Sequence, residues 1–192
     1  MPESQPNAQI PANALIAEAA KGSKAAFNRV MNEQAPRLQN IALRMMGNRS
    51  DAEDAVQEAL AAAWFKLASF DLSRPISPWL TRITVNKCRD LLRKRRIRQF
   101  FEFHSENEAG MIVADDAPDP SAELQARQAL EILQKEITRL PATLREPFVL
   151  VTFGENSQAE TAHILGISEK AVETRIYRAR NHLREIAEKF EG

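Results

Sequence analysis

The sequence predicts an all-α protein made of two small helical domains joined by a flexible acidic linker. Three observations carry that expectation. Apolar residues recur at three- or four-residue intervals over most of the 192 positions. Glycine is scarce at six and tyrosine occurs once, whereas the helix formers Ala, Leu, Arg and Glu are abundant. Charge is segregated although the net value is zero: residues 82–98 hold eight basic side chains against one acid, Asp90, and residues 102–123 hold seven acids with no Lys or Arg. Such a division points to a polyanion-binding surface followed by a tether.

Residues 1–12 carry Pro2, Pro6 and Pro11 and read as a flexible N-terminus, neither helix nor signal peptide. A first domain, 13–99, opens with Leu15, Ile16 and Ala19. Gly22 and Ser23 then break the helix and cap the next, which continues through Phe27, Val30, Met31, Leu38, Ile41, Ala42 and Met45. Pro36 is expected to kink or interrupt that helix, and Gly47-Asn48 to end it. Ser50-Asp51-Ala52-Glu53 has the pattern of a capping box opening a third helix over about 51–68. Its apolar stripe is Ala52, Val56, Ala59, Ala63 and Leu67, while Asp51, Asp54 and Glu58 share another face. Residues 70–78 read as a loop and 79–98 as a fourth helix. Residues 100–121, with Gly110, Pro118, Pro120 and the acid run, read as the linker. The second domain, 122–190, divides into helices over 122–140, from 141 or 142 to 153, 158–165 and 169–188.

The most informative stretch is 157–178, which has the layout of a helix-turn-helix. Ser157 caps the first helix, and Ala162 is small where the helices approach. Gly166 allows the tight turn, Ile167 plugs the angle, and Ser168 caps the second helix. Ala171, Val172 and Ile176 face the core. Lys170, Glu173, Thr174, Tyr177 and Arg178 point outward, able to enter a major groove. The C-terminal module of two-component response regulators shares this pattern, but a receiver domain needs alternating strands and helices, and residues 14–98 show helices only.

Other chemistries find little support. No run approaches the length of a membrane span. The lone Cys88 can form neither an internal disulfide nor a thiolate metal site, which fits a reducing cytoplasm. His104, His163 and His182 lie far apart, so no metal or other cofactor is expected. No phosphate loop, activated nucleophile or catalytic carboxylate pair is present, so an enzyme is not expected. The acids at the start of the third helix are partly explained by the helix dipole, but Gln57 and Glu58, two turns in, are not. Five of the six residues 93–98 are basic, a repulsion that a phosphate backbone would relieve.

Three segments resemble, in order, the conserved parts of bacterial sigma factors. Asp51-Ala52-Glu53-Asp54-Ala55-Val56-Gln57-Glu58 with Ala63-Trp64 is similar to the region that docks on a coiled coil of the polymerase's largest subunit. Trp79-Leu80-Thr81-Arg82-Ile83-Thr84-Val85-Asn86, with Asp90-Leu91 and the basic run, resembles the promoter-melting helix. Leu140-Pro141 with Arg145 and the helix-turn-helix resembles the domain that reads the −35 element. The likeness spans 14–188 and lacks the extra regions of larger sigma factors, as in the extracytoplasmic-function class. Asn86-Lys87-Cys88-Arg89-Asp90-Leu91, Arg95-Arg96-Ile97-Arg98-Gln99-Phe100 and Lys170-Ala171-Val172-Glu173 resemble the branch controlling cobalt and nickel resistance.

The resemblance implies partners and sites. Core RNA polymerase would be bound by Asp51, Asp54, Gln57, Glu58 and Trp64. The −10 element would meet Asp71, Ser73, Arg74, Ile76 and Asn86, with Lys87, Arg89, Arg93, Lys94, Arg95 and Arg96 on phosphates. Many relatives carry an aromatic residue where Ile76 stands, which weakens any stacking role, and Trp79 reads as core. The −35 element would meet Ser168, Lys170, Glu173, Thr174, Arg175, Tyr177 and Arg178, with Glu173 where many relatives are basic. The acidic linker, including Asp115, Asp116 and Asp119, would thread the RNA exit path. An anti-sigma protein, often membrane-anchored, would clamp the domains. The competing reading is a stand-alone helix-turn-helix regulator, and a structural helical adaptor stands further off.

Overall fold

The structure, a computed structural model, describes residues 12–104 and 122–191. The described residues form eight α-helices and one 3-10 turn: α1 (Ala12–Ala20), α2 (Lys24–Met46), α3 (Arg49–Lys66), the turn Leu67–Ser69, α4 (Ile76–His104), α5 (Ala122–Arg139), α6 (Ala142–Thr152), α7 (Gln158–Leu165) and α8 (Glu169–Glu191). The all-α expectation holds in both halves. Most of the acidic linker, with Asp115, Asp116 and Asp119, lies outside the described residues, as do residues 1–11.

In the first half α2, α3 and α4 pack around Leu38, Ile41, Met45, Leu67, Leu80 and Val85, each at most 2% exposed. The Ala52, Ala55, Val56, Ala59 and Ala63 stripe lets α3 lie close, because four of its five side chains are single methyl groups. In the second half α6 and α8 enclose Val149, Leu150, Val172 and Ala179, all fully buried. The two sets of side chains merge into one continuous apolar cluster.

Several local expectations need correcting. Pro36 does not interrupt α2, which runs unbroken from Lys24 to Met46. Pro36 and Asn32, whose carbonyl would have accepted the missing N–H, are both exposed, so water can satisfy that oxygen, while Phe27, Val30, Leu38 and Ile41 anchor the helix on its other side. The capping box at Ser50 does not form. Asn48, in extended backbone, caps instead: its Oδ1 accepts from the Asp51 N–H at 2.8 Å, and its Nδ2 donates to Asp51 Oδ2 at 2.7 Å. Glu53 turns to Arg49, at 2.8 Å. Helix α1 begins at Ala12, directly after Pro11, a residue earlier than the reading of 1–12 as flexible allowed. Helix α4 begins at Ile76, so Ser77 and Pro78 occupy its first turn, where a missing N–H costs nothing. The same helix continues to His104, past the expected end at Arg98 and into the segment read as linker.

The cap assignment gives a direct test. Asn48→Ala should cost about 1 kcal/mol of stability in urea denaturation, whereas Ser50→Ala should change it by less than about 0.5 kcal/mol; the reverse ranking would restore the capping box.

Candidate nucleic-acid interface

Three groups of predicted residues occupy distinct places. On α3, Asp54, Gln57 and Glu58 are exposed and Asp51 is half-buried. Asp51 receives Arg95 Nη1 at 3.2 Å and Glu58 receives Lys87 Nζ at 3.2 Å, so the basic helix α4 partly neutralises this acidic face. Asp54 has no ion-pair partner among the described residues. Trp64 stands apart from the acids: it is half-buried, with its ring edge-on to Phe27 at 5.0 Å between centroids. Phe65, which sequence reading missed, is 83% exposed and falls seven residues after Glu58, hence on the same helical face.

The second group surrounds the start of α4. Asp71, Ser73 and Arg74 are exposed on the loop between the 3-10 turn and α4. Hydrogen bonds from the Ser73 hydroxyl and N–H hold the Asp71 carboxyl below the usual carboxylate range. Ile76 is 8% exposed and joins the core instead of facing outward. Trp79 is half-buried against Phe70, 4.9 Å away. Beneath the loop lies a second feature that sequence reading missed: Arg37 Nη2 donates to the Ser77 carbonyl at 3.0 Å and to Thr81 Oγ1 at 2.8 Å. Farther along α4, Asn86 is exposed and Lys87 half-buried, while Arg93, Lys94, Arg95 and Arg96 are all exposed. Arg89 is committed: its Nε and Nη2 meet both carboxylate oxygens of Glu146, at 2.7 and 2.6 Å. That bidentate bond raises the Arg89 guanidinium pKa.

The third group is the helix-turn-helix of α7 and α8. Ser157 and Glu160 form the capping box, with the Ser157 N–H donating to Glu160 Oε2 at 2.8 Å. That bond holds the Glu160 carboxyl below the ordinary glutamate value. Gly166 takes φ +69°, the left-handed turn expected of it. Ser168 Oγ accepts from the Ala171 N–H at 3.2 Å and starts α8. Val172 and Ile176 are buried and Ala171 is half-buried, leaving Lys170, Glu173, Tyr177 and Arg178 exposed on the opposite face. Tyr177 is 66% exposed. Thr174 and Arg175 are half-buried, and the Thr174 hydroxyl donates to the Lys170 carbonyl at 2.8 Å. Lys170 Nζ donates to Glu173 Oε2 at 2.8 Å, so the acid of this surface is tied to its neighbouring base.

An exposed basic helix in one half and a helix-turn-helix with an exposed polar face in the other are features of the class of helical DNA-binding proteins. Two family models match the halves in that order: Sigma-70 region 2 over residues 30–97 and Sigma-70, region 4 over residues 130–183. Among similar proteins, the RNA polymerase sigma factor CnrH of Cupriavidus metallidurans is 40% identical over 88% of this chain and 90% of its own. The sigma factor NccH of Alcaligenes xylosoxydans xylosoxydans is 37% identical over 88% and 91%, and the ECF sigma factor SigW of Bacillus subtilis is 32% identical over 88% and 92%. Of solved structures, CnrH in complex with the cytosolic domain of CnrY superposes with a TM-score of 0.70 at 33% identity, over 92% of this chain and 97% of that one. The sigma factor RpoE with the anti-sigma factor NepR, from Bartonella quintana, gives 0.67 at 26% identity over 84% and 96%. The chain belongs to the RNA polymerase sigma factors of the extracytoplasmic-function class, initiation factors that direct core polymerase to promoters. The likeness to CnrH and NccH also bears out the narrower resemblance to the cobalt- and nickel-resistance branch. The region 2 match over the first half decides against a stand-alone helix-turn-helix regulator.

The Glu160 carboxyl sets a pH dependence with a defined sign. Its folded value is depressed, so its contribution is present above the ordinary glutamate range and is lost as pH falls through the folded value. Glu160→Gln should therefore be less stable than the parent at pH 7, with the gap in urea midpoint closing as the pH falls below the ordinary glutamate range; a gap independent of pH would contradict this.

Proposed function

We propose that residues 13–99 dock on core RNA polymerase and melt the −10 element, that 100–121 tether the halves within the polymerase, and that 122–190 read the −35 element. The observation that carries the first assignment is the exposed α3 face on which Asp54, Gln57 and Glu58 remain available and Phe65 supplies an apolar anchor. Asp51 contributes at the edge of that face. Trp64 supports it from beneath, because its ring is already engaged with Phe27.

At the −10 element, Asp71, Ser73 and Arg74 on the loop and Asn86 on α4 would meet bases, a role for which their exposure is the support. Ile76 would act by holding the end of the loop in the core. Lys94 and Arg96 would bind phosphates, supplying affinity without sequence choice, joined by Lys87, Arg89, Arg93 and Arg95 once their carboxylate partners release them. At the −35 element Lys170, Glu173, Tyr177 and Arg178 enter the groove, Thr174 lies at its floor, and Ser168 and Arg175 approach the backbone. Glu173 would accept from the exocyclic amine of cytosine and so change base preference.

The chain would act in the cytoplasm, because core polymerase and promoter DNA are there. No helix among the described residues is long and apolar enough to cross a membrane. We further propose control by an anti-sigma protein, on the strength of the two neighbours solved with such domains, and a regulon that includes resistance to transition metals, on the strength of the likeness to CnrH and NccH.

Two experiments test these assignments. Purified chain should co-elute stoichiometrically with bacterial core RNA polymerase on a sizing column, and Asp54→Arg should abolish the complex while leaving the helical circular dichroism unchanged. Retention of the complex by Asp54→Arg would remove α3 from the docking surface. Glu173→Lys should shift the preferred bases in a randomised −35 library; an unchanged preference would sink the assignment to cytosine.

A further inference from the structure

Helix α4 starts without the device that starts α7. Pro75, directly before Ile76, has no side-chain oxygen to accept from the first turn. Pro78, the third residue of the helix, has no N–H to offer such an acceptor. A cap of the kind that Ser157 gives α7 therefore cannot form, and the first turn is held from α2 instead. Gln34 and Arg37, three residues apart, share one face of α2. Gln34 Oε1 accepts from the Ser77 hydroxyl and from Arg37 Nη2, the latter at 3.5 Å. The same Nη2 donates to the Ser77 carbonyl at 3.0 Å and to Thr81 Oγ1 at 2.8 Å, and the Thr81 hydroxyl donates to the Ser77 carbonyl at 2.8 Å. Thr81 is fully buried, and Gln34, Arg37 and Ser77 are half-buried. A cation beside the first turn of a helix opposes the macrodipole, so helix stability alone does not select an arginine here.

The loop that this turn carries is stiff within itself. Asp71 Oδ1 accepts from the Ser73 N–H at 3.0 Å and from its hydroxyl at 2.7 Å. Asp71 Oδ2 lies 3.3 Å from Arg74 Nε, and the Arg74 N–H donates to the Asp71 carbonyl at 3.0 Å. The loop is entered where Phe70 meets Trp79 and left where Ile76 joins the core. Such a unit moves as a body with its anchor. Starting α4 one residue later would swing the loop by about 100° around the helix axis and shift it about 1.5 Å along it.

We propose that Gln34 and Arg37 are positioning residues for −10 selectivity: from α2 they set the register of the first turn of α4, and so fix where the 71–75 loop presents Ser73 and Arg74 to bases. The proposal deepens the −10 reading of that loop and rests on it. In this role neither residue meets DNA. Their effect passes through the Ser77 hydroxyl, the Ser77 carbonyl and Thr81 to a loop whose polar side chains are all exposed. A loop already held in one place loses little ordering entropy when it meets the bases, so bonds one step removed from the DNA set how sharply right and wrong bases are told apart.

Gln34 gives the cleaner test. Arg37 also holds the Gly154 carbonyl of the second half, whereas the hydrogen bonds of Gln34 among the described residues run only to Ser77 and Arg37. The full chain is assayed with bacterial core RNA polymerase. Random duplexes selected with the parent supply a reference promoter, which is then randomised at −10 alone and at −35 alone. Gln34→Leu removes the acceptor and Ser77→Ala the donor. Each should lose on the order of tenfold in −10 discrimination, about what one base position carries. Their −35 discrimination and their affinity for core polymerase should match the parent. Gln34→Glu keeps an acceptor for both partners and should retain the parental −10 discrimination. Unchanged −10 preference in both Gln34→Leu and Ser77→Ala would overturn the proposal. So would an equal loss at both elements, the mark of a chain merely weakened, or a loss in Gln34→Glu as large as in Gln34→Leu. Arg74→Ala separates the proposal from the reading beneath it. A −10 preference altered in Arg74→Ala but parental in Gln34→Leu and Ser77→Ala overturns the positioning role alone; no change in any of the three overturns the −10 assignment of the loop as well.

Discussion

The arrangement of the whole chain depends on how α2 is used. This helix turns one side to α3 and α4 through Leu38, Ile41 and Met45, and offers Arg37, Asn40 and Arg44 to the second half. Arg37 is the pivot, because a single guanidinium reaches the Ser77 carbonyl and Thr81 on α4 and the Gly154 carbonyl beyond α6. Burial lowers its pKa, yet four hydrogen bonds to neutral oxygens, Gln34 Oε1 included, keep the cation solvated by protein in place of water. A planar fork with five donors can satisfy four acceptors at once, and a lysine with three donors cannot reproduce that geometry.

The polar surfaces follow a common logic. Acids of α3 pair with bases of α4 across the first half, through Glu58 with Lys87 and Asp51 with Arg95. These exposed pairs contribute little to stability, on the order of 0.5 kcal/mol each. Their effect, with Arg93 paired to Asp90, is to lower the net field of the basic helix, leaving Lys94 and Arg96 without an ion-pair partner among the described residues. Lys170 with Glu173 repeats the device on the reading helix. Weak, screened pairs of this kind exchange readily for phosphate, which suits a surface that must be occupied only in a complex.

What could be read from the sequence was what is encoded within a few residues. Gly166, Ser157 with Glu160, and Ser168 each answer a local steric or hydrogen-bonding demand, and α7 and α8 stand where those residues put them. The Asn48 cap was missed because two capping side chains lie two residues apart, and pattern alone does not say which backbone adopts the extended conformation. Pro36 misled for a similar reason: its cost depends on whether the freed carbonyl faces water, which is a tertiary fact. Ile76 read as a loop residue because Pro75 and Pro78 flank it, whereas the helix simply starts there. The contacts of Arg37 and Asn40 with Gly154 and Phe153 bridge more than one hundred residues, and no periodicity carries such a pairing. The exposed Phe65 was overlooked for the opposite reason, since an aromatic residue inside a helical pattern is ordinarily assigned to the core.

Cys88, the only sulfhydryl, is fully buried on α4, and desolvation pushes its pKa up to about 12. Thiolate is the species that attacks peroxides and disulfides, so at physiological pH the folded chain presents almost none of it. The Cys88 sulfur is therefore shielded from oxidants while the helix packing around it holds. A thiol reagent can reach Cys88 only when α4 parts from its neighbours, so the rate of its labelling would report opening of the first half from within.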